Sequence, residues 1–281
     1  AQAQGIAEAA CRAAVKYAGE RVQFGAPIAT LTPVAAMLAD MKVSVEAARA
    51  LLYETALTVD IKEGLEHRIA QLAATGEAAA ADLKDLRAEL KRSNRLASLY
   101  TPLAKACCTE MANQVAYDAL QVHGGSGYMR DFPVERHARD ARITNIYEGT
   151  TQLQVVAAIG GVLSGTLAVR LEEYDAGDYA RTPELLARVR HARARLQAAI
   201  DHVRAVDDPR YRDFHSRRLV DMAIDVTCGY LLLRDAQADA RKLLVARHFV
   251  AAMAARVEGA AAAVLGGDPG RLDELAALAA D

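Results

Sequence analysis

The sequence predicts an all-α protein: a four-helix up-down bundle over residues 1–165, followed by a helical extension over residues 166–281. Three observations carry this prediction. Ala, Leu, Arg and Glu dominate the 281 residues, and these types lose little side-chain freedom in a helix. Apolar residues recur at three- and four-residue spacing. Runs of β-branched residues alternating with polar ones between turns are absent.

The elements follow in order. Ile6 to Glu20 reads as the first helix, with Ala10, Ala13, Ala14, Tyr17 and Ala18 on one face, and Gly25-Ala26-Pro27 ends it. A second helix starts near Thr32-Pro33, where proline suits the first helical position. It carries Met37, Met41, Val45, Ala48 and Leu52 at helical spacing, as core residues. Residues 60–95 are highly charged, with a break at Thr75-Gly76. They are expected to form a helix end, a loop and another helix start, their charges facing solvent. A third helix spans about Ser93 to Val122, with Leu96, Leu99, Leu103, Ala106, Met111, Val115 and Leu120 available for packing. The fourth starts at Thr150 or Thr151, where Thr151 and Gln154 have capping-box spacing, and runs to Leu163. Four such antiparallel helices make a bundle. Ser164-Gly165 marks a boundary, and the chain beyond Leu171 is loop-like until Thr182-Pro183-Glu184. Three further helices are expected at about 184–205, 214–241 and 244–265, then a turn over Gly266–Gly270 and a short last helix.

Composition narrows the function. The chain is 52% hydrophobic with a formal net charge of −2, enough apolar residues for a substantial core and no electrostatic case for a nucleic-acid partner. The four cysteines, Cys11, Cys107, Cys108 and Cys228, show neither C-x-x-C pairing nor histidines at ligand spacing. Reduced thiols and no metal site are expected. No signal peptide is visible and no apolar run reaches the length of a membrane span, the most apolar stretch, Phe249 to Leu265, being broken by Arg256 and Glu258. A cytoplasmic protein is expected.

The chemistry concentrates between Gln121 and Gln154. Gly124-Gly125 allow a backbone to approach a ligand closely, because no Cβ intervenes. Glu148 stands beside Gly149 on an irregular connection ahead of a helix N-terminus, placed to project into a cleft as a general base must. Arg130, Asp131, Glu135, Arg136, Arg139, Asp140 and Arg142 are expected to form an ion-pair network fixing that connection. Taken alone, these residues leave two readings of Glu148, a base or the partner of a nearby arginine. Arg21, near a helix C-terminus, taken alone complements the macrodipole.

The same segment, with its QVHGGSGY turn, PVER stretch, RDARI run and YEGT motif, resembles the C-terminal signature of acyl-CoA dehydrogenases. Tyr17 to Gly25 (YAGERVQFG), followed by Leu38-Ala39-Asp40-Met41, resembles a second signature of that family, in the expected order. The resemblance covers roughly residues 1–165. The charged insertion at 60–95 and the region after 166 resemble a subset with a C-terminal extension. The resemblance implies a flavoprotein of fatty acid β-oxidation in which Glu148 is the catalytic base, taking the proton next to the thioester carbonyl of an acyl-CoA while FAD accepts the hydride. A base in an apolar, partly desolvated cleft is expected, since burial disfavours its charged form. By the same match, Arg21, Gln23 and Phe24 contact FAD held mainly by a neighbouring subunit. Gln121, Val122, His123, Gly124 and Gly125 approach it with backbone and amide groups, His123 having no chemical role of its own. Thr150 and Gln152 also contact the cofactor, and Gly149 lies against the substrate. Leu31-Thr32 departs from the family, whose members commonly have a Gln there, so no cofactor contact is carried to it. Electron-transfer flavoprotein is the implied electron acceptor, and a homodimer or homotetramer the implied assembly. The chain is expected to be part of a longer protein and inactive alone, the family's N-terminal helical and β-domains lying elsewhere. A non-catalytic helical oligomerisation module and an acyl-CoA oxidase are the competing readings.

Overall fold

The computed structural model describes residues 1–75, 80–267 and 270–280. Helix α1 (Gln2–Glu20) begins ahead of the expected Ile6 and buries a stripe of small residues: Ala3, Ala7, Ala10, Cys11, Ala14 and Ala18. It stops at Glu20, as expected. Strands β1 (Val22–Gln23) and β2 (Ala26–Pro27) then pair antiparallel, Val22 opposite Pro27. The tip of this hairpin is Phe24-Gly25, with φ of +54° and +83°, a conformation that glycine adopts freely and phenylalanine does not.

Helices α2 (Thr32–Thr75) and α3 (Ala80–His123) have 44 residues each, about 66 Å at 1.5 Å per residue. The charged segment 60–95 is therefore mostly the distal halves of two long helices, and the loop expected after Thr75 falls on residues 76–79, outside the described residues. On each half the half-buried positions, Leu65, Ile69 and Leu72 on α2 and Leu83, Leu86 and Leu90 on α3, recur at coiled-coil spacing among exposed neighbours. Short α4 (Gly125–Tyr128) and α5 (Val134–Thr144) follow, then α6 (Thr151–Leu163). Helices α1, α2, α3 and α6 form the bundle, with α5 laid along α1 and α3.

At Gly165, with φ +90°, the chain turns and α7 (Thr166–Asp175) leaves α6 at 69°. The loop expected after Leu171 begins after Asp175. Helix α8 (Pro183–Ala205) matches its expected span, whereas α9 (Pro209–Ala238) and α10 (Ala240–Leu265) start earlier than expected. The reason is local. Asp208 and Asp239 accept hydrogen bonds from the backbone N–H of Arg210 and Arg241 at 2.8 and 2.9 Å, and so cap both helices. Gly266 and Gly267 follow α10, Asp268 and Pro269 of the expected turn lie outside the described residues, and α11 (Arg271–Leu278) closes the fold.

Helix α9 is buried nearly all round, including Leu219, Val226, Tyr230, Leu231, Leu232 and Leu233. One apolar core runs from Ala47, Leu51 and Leu99 of the bundle through α9 to Val250, Met253 and Val264 of α10. Each fully buried leucine contributes about 1.5–3 kcal/mol, so the extension is packed on the bundle rather than tethered to it. Two buried carboxylates cross the same seam. Glu54 of α2 accepts from Tyr174 of α7 at 2.7 Å, Arg170 of α7 at 2.5 Å and Arg234 of α9 at 2.8 Å. Burial pushes its pKa up, but those three donors outweigh burial and hold it below the ordinary carboxylate range. Glu46 of α2 is held at about 2 in the same way, against burial, by Lys242 of α10 together with Lys42 and Arg49.

One expectation about membranes is corrected. Helix α10 is by length and composition long and apolar enough to cross a bilayer. In the fold it buries Phe249, Val250, Met253, Val257 and Val264 against the core, and Arg256 on its flank pairs with Asp225 of α9 at 2.6 Å.

Candidate active site

The connection from Thr144 to Thr151 carries Glu148, and its backbone is unusual. Glu148 has φ +52° and Gly149 φ +93°. Two successive left-handed residues turn the chain sharply into α6, and a non-glycine residue there stores on the order of 1–2 kcal/mol of strain. A capping interaction lies just beyond. The cap is Thr150 rather than Thr151, its hydroxyl accepting from the N–H of Leu153 at 3.5 Å. Thr151 is the first helical residue and instead donates its hydroxyl to Glu110 of α3.

The expected ion-pair network does not form. Among the described residues, Glu135–Arg139 within α5 is the only ion pair of that cluster, at 3.0 Å, while Arg142 turns to the side chain of Asn145. Arg130 and Asp131 precede α5, and within it Arg136, Asp140 and Arg142 are exposed to solvent. What holds the connection is α3. Lys105 Nζ donates to the carbonyls of Tyr147 at 3.0 Å and Gly149 at 2.7 Å. Glu110 accepts from Asn145 at 3.2 Å as well as from Thr151. Gln154 Nε2 donates to the carbonyls of Glu148 and Gly149 at 3.2 and 3.3 Å. Burial lowers the pKa of Lys105 against the opposing pull of Glu148 and Glu110. Neither Lys105 nor Glu110 is marked by any local sequence pattern; each is one position in a long helix, and only the docking of the connection on α3 gives it this part.

The Glu148 carboxylate itself is exposed and has no hydrogen-bond or ion-pair partner among the described residues. Among the described residues of this chain no apolar cleft encloses it. The carboxylate is available, aimed outward and fixed at its backbone.

The second set of predicted residues lies elsewhere. Tyr17 stacks on His123 with ring centroids 4.3 Å apart, and Phe132 packs edge-on against both. The buried His123 ring, through Nδ1, bonds the Ala119 carbonyl at 2.7 Å. This stack brings the end of α1, with Arg21, Gln23 and Phe24, beside the turn Gln121 to Gly125. Val122 is buried too, leaving Gln121, Gly124 and Gly125 exposed. Phe24 is 91% exposed at its hairpin tip, and Arg21 has no ion-pair partner among the described residues. Gly124, at φ +59°, and Gly125 border open space: a Cβ added at either would meet nothing within 4 Å. An unpaired guanidinium, an exposed aromatic ring and a glycine turn that a ligand can approach closely form a surface suited to an anionic, partly aromatic ligand.

The two sets are far apart. Tyr147, next to Glu148, donates its hydroxyl to Gln2 at the start of α1 at 2.6 Å, whereas Arg21 lies just past its end. Helix α1 has 19 residues, or about 28 Å. Glu148, Gly149, Thr150 and Gln152 gather at one end of that helix; Arg21, Gln23, Phe24 and Gln121–Gly125 gather at the other. Gln152 is exposed on the first turn of α6 beside a cavity of about 570 Å³ between α6 and α9.

Comparison with known proteins agrees with this architecture. A family model described as the acyl-CoA dehydrogenase C-terminal domain matches residues 1–64 and 61–159, and a second, described as acyl-CoA dehydrogenase C terminal, matches residues 163–264. An acyl-CoA dehydrogenase of Bacillus subtilis is 40% identical over 166 residues, covering 59% of this chain and 35% of that protein. The caffeyl-CoA reductase–Etf complex subunit CarC of Acetobacterium woodii is 36% identical over 162 residues, covering 58% of this chain and 34% of that protein. The chain thus spans about a third of the length of the curated relatives it matches. Among solved structures, an acyl-CoA dehydrogenase from Bacillus anthracis complexed with FAD superposes with a TM-score of 0.69 at 22% identity, covering 98% of this chain and 49% of that one. That likeness shows the fold, extension included.

Proposed function

The chain belongs to the acyl-CoA dehydrogenase family, and on that premise we propose that it is the carboxylate-bearing C-terminal part of an FAD-dependent enzyme oxidising an acyl-CoA thioester to the trans-2-enoyl-CoA. The observation that carries the reading is Glu148: an unpaired carboxylate on a left-handed backbone, with the carbonyls on either side of it gripped by Lys105. A group so held keeps its aim without a partner competing for its lone pairs, as proton abstraction from a weakly acidic carbon requires. Glu148 takes the proton from the carbon next to the thioester carbonyl, and Gly149 lies against the substrate. Bound FAD supplies the hydride acceptor, a part that no side chain can play. Cover for Glu148, and the desolvation a base of this kind needs, comes from outside this chain: from other domains of a longer polypeptide or from a second subunit. Electron-transfer flavoprotein is the acceptor of the electrons, a reading supported by the relative named as a subunit of an Etf complex.

The two-ended layout bears on the assembly. With Glu148 and Arg21 at opposite ends of α1, one flavin is served by Glu148, Thr150 and Gln152 of one subunit and by Arg21, Gln23, Phe24 and the Gly124-Gly125 turn of its neighbour. A two-fold homodimer, alone or paired into a tetramer, makes two such sites.

Mixing variant subunits tests both statements. In the full-length protein, Glu148→Gln is expected to lower turnover by about 10²–10⁴-fold with the fold intact by circular dichroism. A second protein carrying Arg21→Ala and Phe24→Ala is expected to lose flavin on gel filtration. Refolded or co-expressed together, random pairing gives heterodimers half the time, each with one intact site of its two, and so restores about a quarter of wild-type turnover. Unchanged turnover in Glu148→Gln removes its assignment as base. A mixture as inactive as its parents means that both groups of a site come from the same subunit and removes the two-subunit arrangement.

A further inference from the structure

At the far end of α6 from Glu148, two adjoining cavities of about 370 and 730 Å³ share Lys91, Arg95 and Thr166 on their walls. Volumes of this size are those of small-molecule sites rather than of surfaces for macromolecules, about 300–1,000 Å³. One wall is α3, and its charges are arranged unusually. Arg87, Lys91 and Arg95 follow one another at four-residue spacing, on one line of the helix, and none has an ion-pair or hydrogen-bond partner among the described residues. Elsewhere in this molecule arginines are mostly paired, as Arg49, Arg170, Arg190, Arg217, Arg234 and Arg256 are. Like charges at this spacing weaken a helix, so the stripe is not there for the stability of α3. The carboxylate on the cavity wall, Glu173, is already engaged by Arg92 and by Arg170, the latter at 2.7 Å.

The opposite wall offers donors. Ser164 and Thr166 hydroxyls stand 3.1 Å apart, and α7 starts there behind Gly165 without a side-chain cap on its first N–H groups, which favours negative charge. Leu90 lines the larger cavity and Leu96 the smaller, apolar residues on either side of the cations. From Arg87 to Arg95 the stripe runs about 12 Å, with about 6 Å between successive charges. That spacing suits separate anionic groups on one ligand better than a single ion.

We propose that this groove is a second binding site, distinct from the one around Glu148, for a small organic ligand carrying at least two separated phosphate groups. The 3′-phospho-ADP portion of a CoA thioester and a free nucleoside 3′,5′-bisphosphate both have this chemistry. The site does not depend on the reading of Glu148, and its occupancy leaves the chemistry at that residue untouched.

The test is calorimetric titration of the protein with adenosine 3′,5′-bisphosphate, with CoA and ADP in parallel arms, at low and at physiological salt. The double variant Lys91→Gln/Arg95→Gln is titrated alongside, together with Glu148→Gln. Saturable binding that weakens by about 10–100-fold in the double variant, persists in Glu148→Gln and falls with salt supports the site. Tighter binding of CoA than of adenosine 3′,5′-bisphosphate identifies the CoA thioester as the source, and the reverse identifies a free bisphosphate nucleotide; ADP, whose phosphates are contiguous, is expected to bind more weakly than either. Both substituted side chains are exposed, so the double variant is expected to melt no lower than wild type, which keeps a lost signal interpretable. Equal affinity of wild type and double variant, no saturable binding in any arm, or inorganic phosphate binding as tightly as the bisphosphate overturns the proposal.

Discussion

Two glutamates of this molecule, Glu148 and Glu54, were set in opposite surroundings. Glu54 is buried between the bundle and the extension, with Tyr174, Arg170 and Arg234 all donating to it. Glu148 is exposed, has no partner for its carboxylate and sits on a strained backbone. The contrast separates two uses of one side chain. A carboxylate whose lone pairs are filled joins elements, because removing any donor leaves a charge stranded in the interior. A carboxylate that accepts no hydrogen bond keeps its lone pairs available to a proton, and the structure around it grips only its backbone. The seam is satisfied at the side chain and relaxed at the main chain; the joint is the reverse.

Substitution at both positions sharpens the comparison. Glu54→Ala leaves the buried Tyr174 hydroxyl and the exposed Arg234 without this acceptor and half-buried Arg170 with Glu173 alone, and a loss of about 1.5–3 kcal/mol is expected, read as a lower midpoint in urea unfolding. A loss under about 1 kcal/mol, the range of exposed pairs, places the seam's stability in its apolar contacts instead.

A second buried titratable group of the extension has no such satisfaction. His215 is 1% exposed, and neither ring nitrogen has a hydrogen-bond partner. Burial first, then Arg218 and His202, lowers its pKa from 6.5 to about 4. The unfolded chain binds a proton near 6.5 and the folded chain only near 4, so the neutral ring's contribution is complete above 6.5 and is lost as pH falls through that window. The slope is at most about 1.4 kcal/mol per pH unit for one group. Glu54, held low, adds nothing to the slope in the upper part of that window; near its bottom the unfolded carboxyl begins to bind protons while the folded one does not, and stability is lost there as well. Thermal melts of wild type and His215→Leu from pH 7 to pH 4 are expected to converge toward the acid end, the variant being the less sensitive. Parallel curves would assign the acid sensitivity to other groups.

The smallest expected effect tests the strain. Glu148→Gly removes a side chain from a left-handed position and is expected to raise stability by about 1 kcal/mol, whereas the same removal of a carboxylate at Glu54 lowers it. A destabilised Glu148→Gly would mean that the joint is not strained and that its backbone is what the surrounding contacts prefer.

Much of this was legible beforehand. Helical composition and spacing identify the bundle helices and α8 because these signals are local: a residue's neighbours three and four positions away are its neighbours in space. The Gly124-Gly125 turn and the joint ahead of α6 were marked by glycines for the same reason. The ends of α2, α3, α9 and α10 were less legible, since the cap aspartates and the coiled-coil seam extend helices into segments whose charge suggests loop. Docking on distant helices was not legible at all. Lys105 and Glu110 fix the Glu148 joint from about forty residues away in sequence. Arg234 meets Glu54 across a separation of 180 residues, and the stack of Tyr17 on His123 decides that the two signatures share one end of α1 while Glu148 takes the other. The sequence by itself determined the helices and the chemistry of the residues between them. Only the tertiary structure decided which carboxylate is sealed and which is free, because hydrogen bonds and burial belong to the neighbours that packing supplies and not to the residue.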